Sequence, residues 1–326
     1  MSSPTGIGPS TRLYVAGHTG LVGSAICREL ERRGYSNLAL HSIEDLDLAD
    51  QAATRASLAA EKPEALILAA ARVGGILANW EQPYEFIADN LAIELNVVDA
   101  AFRSGVRRLI FLGSSCIYPR EAPQPLKEEY LLTGPLEPTN EAYAVAKIAG
   151  ITMCRSYNRQ YGTSFLAAMP TNLYGPNDNF NLETSHVLPA LIRKFHEAKI
   201  VNEKSVVIWG TGTPYREFLH VDDLADATLF LMNLPEDAFS SLLALHSSPG
   251  LINIGTEEEV TIRELALLVK EAVGYGGDLA FDTSKPDGTP RKLMDSSLVH
   301  SIGWKHRICL RDGLKSAYEW YLENKR

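Results

Sequence analysis

Short apolar runs alternate with amphipathic stretches through the first half of the chain. Leu13-Tyr14-Val15-Ala16 reads as a short buried strand, and the pattern from Leu21 to Arg33 predicts a helix stopped by Gly34. Leu38 to Leu40 is a second strand and Ala65 to Ala69 a third. A long amphipathic helix is predicted from about Tyr84 to Arg103, then a strand from Leu109 to Leu112. Another helix over about Asn140 to Tyr161 precedes a fifth strand from Phe165 to Met169. Strands separated by helices of this length are βαβ units, which build a parallel sheet.

The alternation breaks after Tyr174. Residues 175–186 (GPNDNFNLETSH) are polar and loop-like; a helix from about Val187 to Ala198 and a strand from Val206 to Trp209 follow. Residues 217–232 read as a return to the main unit, residues 236–249 as a surface insertion, and PDGTP at 286–290 as a turn-rich loop. The expected fold class is α/β, a Rossmann-type doubly wound parallel sheet with a smaller, discontinuous α/β lobe for the substrate. The expected division is a disordered tail over 1–10, a dinucleotide-binding domain over 11–174 plus about 217–255, and the lobe over about 175–216 plus 256–326.

Composition narrows the class. The 326 residues carry a net charge of −9, which argues against a general nucleic-acid binder but leaves room for an anionic small substrate met by a local cluster of Arg and Lys. There is no apolar run of transmembrane length, so no membrane association is expected. The opening MSSPTGIGPS lacks the apolar stretch of a signal peptide, and the cytosol is the default location. Cys27, Cys116, Cys154 and Cys309 are widely spaced, without a CxxC pair or metal-ligand pattern, and are expected as free thiols, Cys27 and Cys154 buried in helices.

Gly17, Gly20 and Gly23 follow the first strand at once and open the first helix. Glycines so placed permit a tight turn and the close approach of a pyrophosphate to the positive end of a helix. His41-Ser42 ends the second strand, where an acid would suit the 2′-hydroxyl of NAD and an Arg the 2′-phosphate of NADP. With neither present, the lean toward NADP is weak. Asp47 either approaches the adenine or belongs to a helix N-cap. The small residues of Ala69-Ala70-Ala71-Arg72-Val73-Gly74-Gly75 either admit a cofactor or pack a helix tightly on a strand.

Tyr143 and Lys147 stand at i and i+4, so on a helix they share a face. A nearby ammonium favours phenolate, and is expected to bring the phenol's pKa down from about 10 into a useful range. Ser114 lies at the C-terminal end of the fourth strand, where ligands of open α/β sheets bind. Its hydroxyl can bond a carbonyl oxygen while Tyr143 protonates it.

Ser114, Tyr143-x-x-x-Lys147 and the GxxGxxG start together resemble the extended short-chain dehydrogenase/reductases that act on nucleotide sugars. Six further strings resemble the GDP-L-fucose synthase family: GSSCIYP (113–119), LEPTNEAYAVAKIAG (136–150), MPTNLYGPNDNF (169–180), SHVLPALIRKFHEA (185–198), REFLHVDD (216–223) and KPDGTPRK (285–292). The resemblance implies C3 and C5 epimerisation of GDP-4-keto-6-deoxy-D-mannose, then reduction of the C4 ketone with NADPH. It implies Ser114 and Tyr143 on the C4 oxygen with Tyr143 as acid, Lys147 on the nicotinamide ribose, Cys116 as the base of epimerisation and His186 as its acid.

By the same resemblance the cofactor touches Gly17, His18, Thr19, Gly20, Leu21, Val22 and Gly23, then His41, Asp47, Leu48, Leu112, Gly113, Lys147, Pro170, Thr171, Asn172, Leu173 and His186. The GDP-sugar meets Asn172, Lys194, Trp209, Arg216 and Lys292, with Arg291 a close neighbour. A homodimer through the helices at 84–103 and 140–161 is also implied. Thr19 and His41 depart from the family, which carries Arg and Arg or Lys there to hold the 2′-phosphate; His41, Ser42, Thr19 and Arg72 are the candidate substitutes. Lys194 replaces a frequent Arg. Two other activities fit the bare residues: a nucleotide-sugar 4-epimerase or 4-reductase, and a non-catalytic NADP-binding scaffold.

Overall fold

The computed structural model describes residues 7–245, 250–285 and 287–324. The chain forms β1 (Leu13–Ala16), α1 (Leu21–Arg32), β2 (Leu38–Ala39), α2 (Gln51–Glu61), β3 (Ala65–Leu68), α3 (Ile76–Glu81), α4 (Pro83–Arg103) and β4 (Arg108–Leu112). Three short 3-10 turns lead to α5 (Glu141–Tyr161), β5 (Ser164–Pro170), β6 (Asn172–Tyr174), α6 (Val187–Ile200), β7 (Ser205–Trp209), β8 (Tyr215–His220), α7 (Val221–Met232) and α8 (Glu236–Leu243). The remainder holds β9 (Leu251–Ile254), β10 (Glu259–Thr261), α9 (Ile262–Val273), β11 (Asp278–Asp282), β12 (Arg291–Lys292), α10 (Ser297–Ser301) and α11 (Leu310–Asn324).

Six strands make one parallel sheet in the order β2-β1-β3-β4-β5-β9. Strands β1, β3 and β4 are buried at every position, as a sheet covered on both faces requires. Because side chains alternate along a strand, Leu13 and Val15 join the core under α1, α7 and α8, while Tyr14 and Ala16 join the core under α2, α4 and α5. The chain reverses its direction of travel across the sheet at β1, between β2 and β3. Such a switch opens a crevice at the C-terminal strand ends.

The second unit is smaller. Strand β8 pairs with β6, β10 and β12, and β7 pairs with β11. Helices α6, α9 and α11 cover these strands around a core of Phe195, Leu265, Val269 and Leu314.

Four segments differ from the sequence reading. Of the expected tail, residues 1–6 lie outside the described residues, but Ile7 is 7% exposed against the main core and its carbonyl accepts from Tyr35 Oη at 3.0 Å. The return to the large unit comes one element late: β8 stays in the smaller sheet, and only α7 packs back on α1, where Arg33 pairs with Asp226. Val299 and Trp304, within the stretch assigned to the lobe, pack into the large core, with Trp304 Nε1 donating to Asp226 at 2.8 Å.

The supposed insertion is part of the core. Helix α8 buries Phe239 and Leu242, and the Arg108 guanidinium lies 4.2 Å from the Phe239 ring centroid while donating to the Met232 and Leu234 carbonyls. Two apolar residues three apart suffice to seat a short helix, a signal masked by the polar residues around them. Residues 246–249 of that stretch, and Pro286 of the turn-rich loop, lie outside the described residues. Phe239→Ala is expected to cost about 3 kcal/mol, read as a lower urea midpoint at unchanged slope; an unaltered midpoint would mark α8 as a dispensable appendage.

Candidate active site

The turn between β1 and α1 is built by steric necessity. Gly17 has φ +82°, and a Cβ on it would come within 2.7 Å of the Ala70 backbone; a Cβ on Gly23 would sit 2.0 Å from the Gly17 carbonyl oxygen. The Ala69-Ala70 pair is thus small because the glycine turn packs directly on it. Helix α1 begins at Gly20 without a side-chain cap, and its first backward bond is Ser24 N to Gly20 O at 2.9 Å. The N–H groups of Leu21, Val22 and Gly23 precede that bond and point outward. His18 Nδ1 is buried without a protein partner. These donors and this close-packed backbone fit a dinucleotide pyrophosphate.

Around the end of β2, where the adenosine is expected, the polar side chains are engaged with one another. His41 Nε2 is 3.1 Å from Glu61 Oε1, and Arg12 pairs with the same carboxylate, which it holds below the usual range. Arg72 is committed to Asp89 at 2.8 Å and Gln82 at 2.6 Å. Asp47 is exposed and accepts from Ala49 N at 2.9 Å, while Leu48 O accepts from Asn96. Ser42 bonds Asp45, and Thr19 is exposed with its carbonyl taken by Asn177 Nδ2 at 2.7 Å.

The reactive side chains gather where β4 and β5 end. The Ser114 hydroxyl caps the turn over 115–117, accepting from Cys116 N at 3.4 Å, and hydrogen bonds the Tyr143 side chain. Lys147, on the same face of α5, is 1% exposed; its Nζ donates to the Leu112 carbonyl at 3.2 Å and lies 5.8 Å from the Tyr143 ring centroid. Gly113 N bonds Ala168 O at 2.9 Å, which fixes the start of this segment on β5.

The expected lowering of Tyr143 is not what the geometry produces. Burial pushes its phenol well above 10, with the Cys116 and Glu94 charges adding and the Ser114 bond opposing. Burial is the main cause; Glu94 on α4, whose Oε1 lies 3.2 Å from Lys147 Nζ, adds to it. Tyr143 therefore holds its proton at neutral pH, the state a proton donor needs.

Cys116 is 6% exposed. Burial raises its thiol, against which the Lys292 ammonium pulls hardest, followed by the Ser114 bond and Lys147. His186 stands at the N-terminus of α6, and its imidazole is lowered by desolvation and then by Lys292. Lys292 thus bears on both members of the pair. It is itself lowered by burial, with Cys116 and Glu137 restoring it. Thiol and neutral imidazole together carry one exchangeable proton, the inventory of one base and one acid.

Pro170 closes β5, and the Thr171 and Asn172 side chains both bond the Glu217 carbonyl, Asn172 Nδ2 at 2.8 Å. Leu173 packs on the main core. Toward the smaller sheet, Trp209 is 60% exposed, with Lys194 Nζ 5.3 Å and Lys285 Nζ 5.4 Å from its ring. Arg216 Nη1 donates to Tyr215 O and Thr289 O, both at 2.7 Å, and Arg216 and Lys292 face each other in register on β8 and β12. Arg291 points elsewhere, to Glu259.

Four residues escaped the sequence reading. Glu94 is an acid on the buried side of α4, in step with Asn90, Val97 and Ala101, a spacing that could have singled it out. The Glu217 carboxylate accepts from the N–H groups of Thr256, Glu257 and Met294, tying β8 to the segment that carries Lys292. Asn177 anchors the 175–186 loop on the glycine turn, and Lys285 joins Lys194 at Trp209. Nothing in the spacing of the last three shows such a contact.

A parallel sheet with a bare helix N-terminus at its switch point and a hydroxyl, phenol and ammonium at the adjoining strand ends defines a dinucleotide-dependent enzyme fold of the dehydrogenase and epimerase class. The chain belongs to the NAD dependent epimerase/dehydratase family, whose pattern spans residues 13–255, and within it to the GDP-L-fucose synthases. It is 58% identical to putative GDP-L-fucose synthase 2 of Arabidopsis thaliana, over 97% of this chain and 93% of that one. To GDP-L-fucose synthase of Escherichia coli K12 it is 53% identical, covering 96% and 97%. Among solved structures, a GDP-mannoheptose C4 reductase from Campylobacter jejuni with NADP bound superposes with TM-score 0.89 at 44% identity, covering 97% of this chain and all of that one.

Gly23→Ala is expected to weaken NADPH binding about tenfold or more, because the added methyl must displace the Gly17 carbonyl. Titration of nicotinamide fluorescence measures it; unchanged affinity would remove the glycine turn from the cofactor site.

Proposed function

We propose that the chain converts GDP-4-keto-6-deoxy-D-mannose to GDP-L-fucose, epimerising C3 and C5 and then reducing the C4 ketone with NADPH. The observation that carries this is that one Lys292 bears on both Cys116 and His186, with Cys116 beside Ser114 and Tyr143; the reading takes the two as a proton-exchanging pair. A reductase alone has no use for the pair. The high identity to GDP-L-fucose synthases over nearly full length supports the same substrate.

In epimerisation, Cys116 removes a proton next to the ketone, and His186 returns one from the opposite face. Ser114 and Tyr143 stabilise the oxyanion formed between these events. The pair enters its working form by an internal proton shift from thiol to imidazole, with no net uptake. In reduction, Tyr143 protonates the C4 oxygen, with Ser114 bonding the same oxygen. NADPH, when bound, supplies the hydride. Lys147 holds the nicotinamide ribose, while residues 17–23, Leu112, Gly113 and 170–173 form the walls of the cofactor site. Arg216 and Lys292 meet the diphosphate, and Trp209, with Lys194, offers a face to the guanine.

The chain also presents Leu91 and Leu95 on α4 and Val145 on α5 as exposed apolar positions, at 36%, 50% and 39% exposure. They support a homodimer through these two helices. Leu95→Glu is expected to convert a dimer to a monomer in light scattering; a wild-type monomer would refute the assembly.

The reaction is tested by supplying the keto-sugar with NADPH or NADH in deuterated water. GDP-fucose carrying deuterium at C3 and C5 is expected, and Cys116→Ser should slow that exchange about 100-fold or more while NADPH still binds. Reduction without deuterium at C3 and C5 would instead make the chain a C4 reductase.

A further inference from the structure

We propose that Glu94 is a positioning residue of the reductive site: its carboxylate aims the Lys147 side chain and supplies the buried counter-charge beside Lys147 and Tyr143. The inference rests on the reductase reading of this site and adds to it a residue from a different helix.

The geometry is specific. Glu94 and Lys147 are each 1% exposed, and Nζ lies 3.2 Å from Glu94 Oε1 and 3.2 Å from the Leu112 carbonyl. An ammonium has three N–H groups. The Leu112 carbonyl takes one N–H, and the Glu94 carboxylate, whose oxygens have no hydrogen-bond partner among the described residues, sits beside the ammonium as an ion pair. The Phe111 ring, 4.9 Å from Nζ, closes another side. Space for the carboxylate comes from Gly150, one turn along α5 from Lys147. A Cβ there would stand 2.7 Å from Glu94 Oε2 and 2.5 Å from Phe111 Cζ.

The electrostatics follow from burial. A lone ammonium this deep is costly, and an opposite charge in contact offsets the cost. Burial pushes Glu94 above the usual carboxylate range, and Lys147 is the first group to oppose that rise. The other titratable groups facing the pair are Tyr143 and Cys154 on α5 and Cys116 on the turn after β4. All three are protonated neutral groups, so Glu94 is the only negative charge among them to balance Lys147.

Removing the charge but not the shape tests this. In Glu94→Gln, the buried ammonium without its counter-charge loses its proton at lower pH, and the uncompensated ammonium lowers the phenol. Both effects move the alkaline limb of the reduction profile in one direction, downward, by about one pH unit. The expected result is kcat reduced about tenfold at pH 8 and recovering toward wild type near pH 6, with the KM for the keto-sugar within about threefold. Glu94→Asp, which restores the charge one methylene back, should return the limb close to its wild-type position. A packing defect alone would lower activity equally at every pH, and that result, or a wild-type profile for Glu94→Gln, overturns the proposal.

A second arm needs no substrate. NADPH affinity, titrated by fluorescence from pH 6 to 10, should fall at lower pH in Glu94→Gln than in wild type, because Lys147 holds the ribose. If wild type fails to reduce the keto-sugar, the functional reading fails while this arm still decides Glu94. If Glu94→Gln does not fold, the shorter pair Glu94→Asn and Glu94→Asp carries both arms: the limb and the affinity should move to lower pH in Glu94→Asn relative to Glu94→Asp, and equal profiles for the two would overturn the proposal.

Discussion

Lys147 is an ammonium at 1% exposure, and taking such an ion out of water is unfavourable unless polar partners replace the solvent. The Leu112 carbonyl at the end of β4 and the Glu94 carboxylate on α4 do so from two sides. This contact holds α4, α5 and the sheet in one relative placement, since a slip of either helix would leave two buried charges unmatched. It also bears on the chemistry next to it. Burial holds the Tyr143 phenol protonated, and the Glu94 carboxylate beside Lys147 adds to that rise.

The reactive groups lie at strand ends for a topological reason. Alternating side chains send successive residues of β1, β3 and β4 into opposite cores, so the sheet interior has no room for a ligand. Only the ends beyond the last ladder bonds are open, and the glycine turn and the Ser114 to Tyr118 segment occupy two of them. The smaller sheet faces the same region with β8 and β12, which bring Arg216 and Lys292 into register. Glu217, buried on β8, accepts the Met294 N–H just beyond β12 and the N–H groups of Thr256 and Glu257 ahead of β10. The 175–186 loop joins the two units, bonded to Thr19 through Asn177 and to Gly75 through the Thr184 carbonyl.

The adenosine end is built differently from the reactive end. His41 shares Glu61 with Arg12, so both side chains there are already engaged. A 2′-phosphate would compete with a carboxylate for them rather than meet free cations. That competition is a property of three side chains distant in sequence: Arg12 just before β1, His41 just beyond β2 and Glu61 at the end of α2.

Much of this was legible in the sequence. Periodicity located five strands of the main sheet, all but β9, and the long helices α4 and α5 to within a residue or two, because a strand buried on both faces must be apolar throughout and a covered helix must be apolar on one side. The glycine turn and the Tyr143 to Lys147 spacing were equally plain, since each is a local constraint of backbone sterics or helical pitch. What only the tertiary structure decided were relations between distant segments. Phe239 and Leu242 seat α8 on the core, Ile7 packs beside Tyr35, and β8 belongs with the smaller sheet because its edge partners are there. Above all, the protonation of Tyr143 could not be read from Lys147 alone. Burial decides it, and Glu94 comes beside Lys147 only after α4 and α5 have packed together.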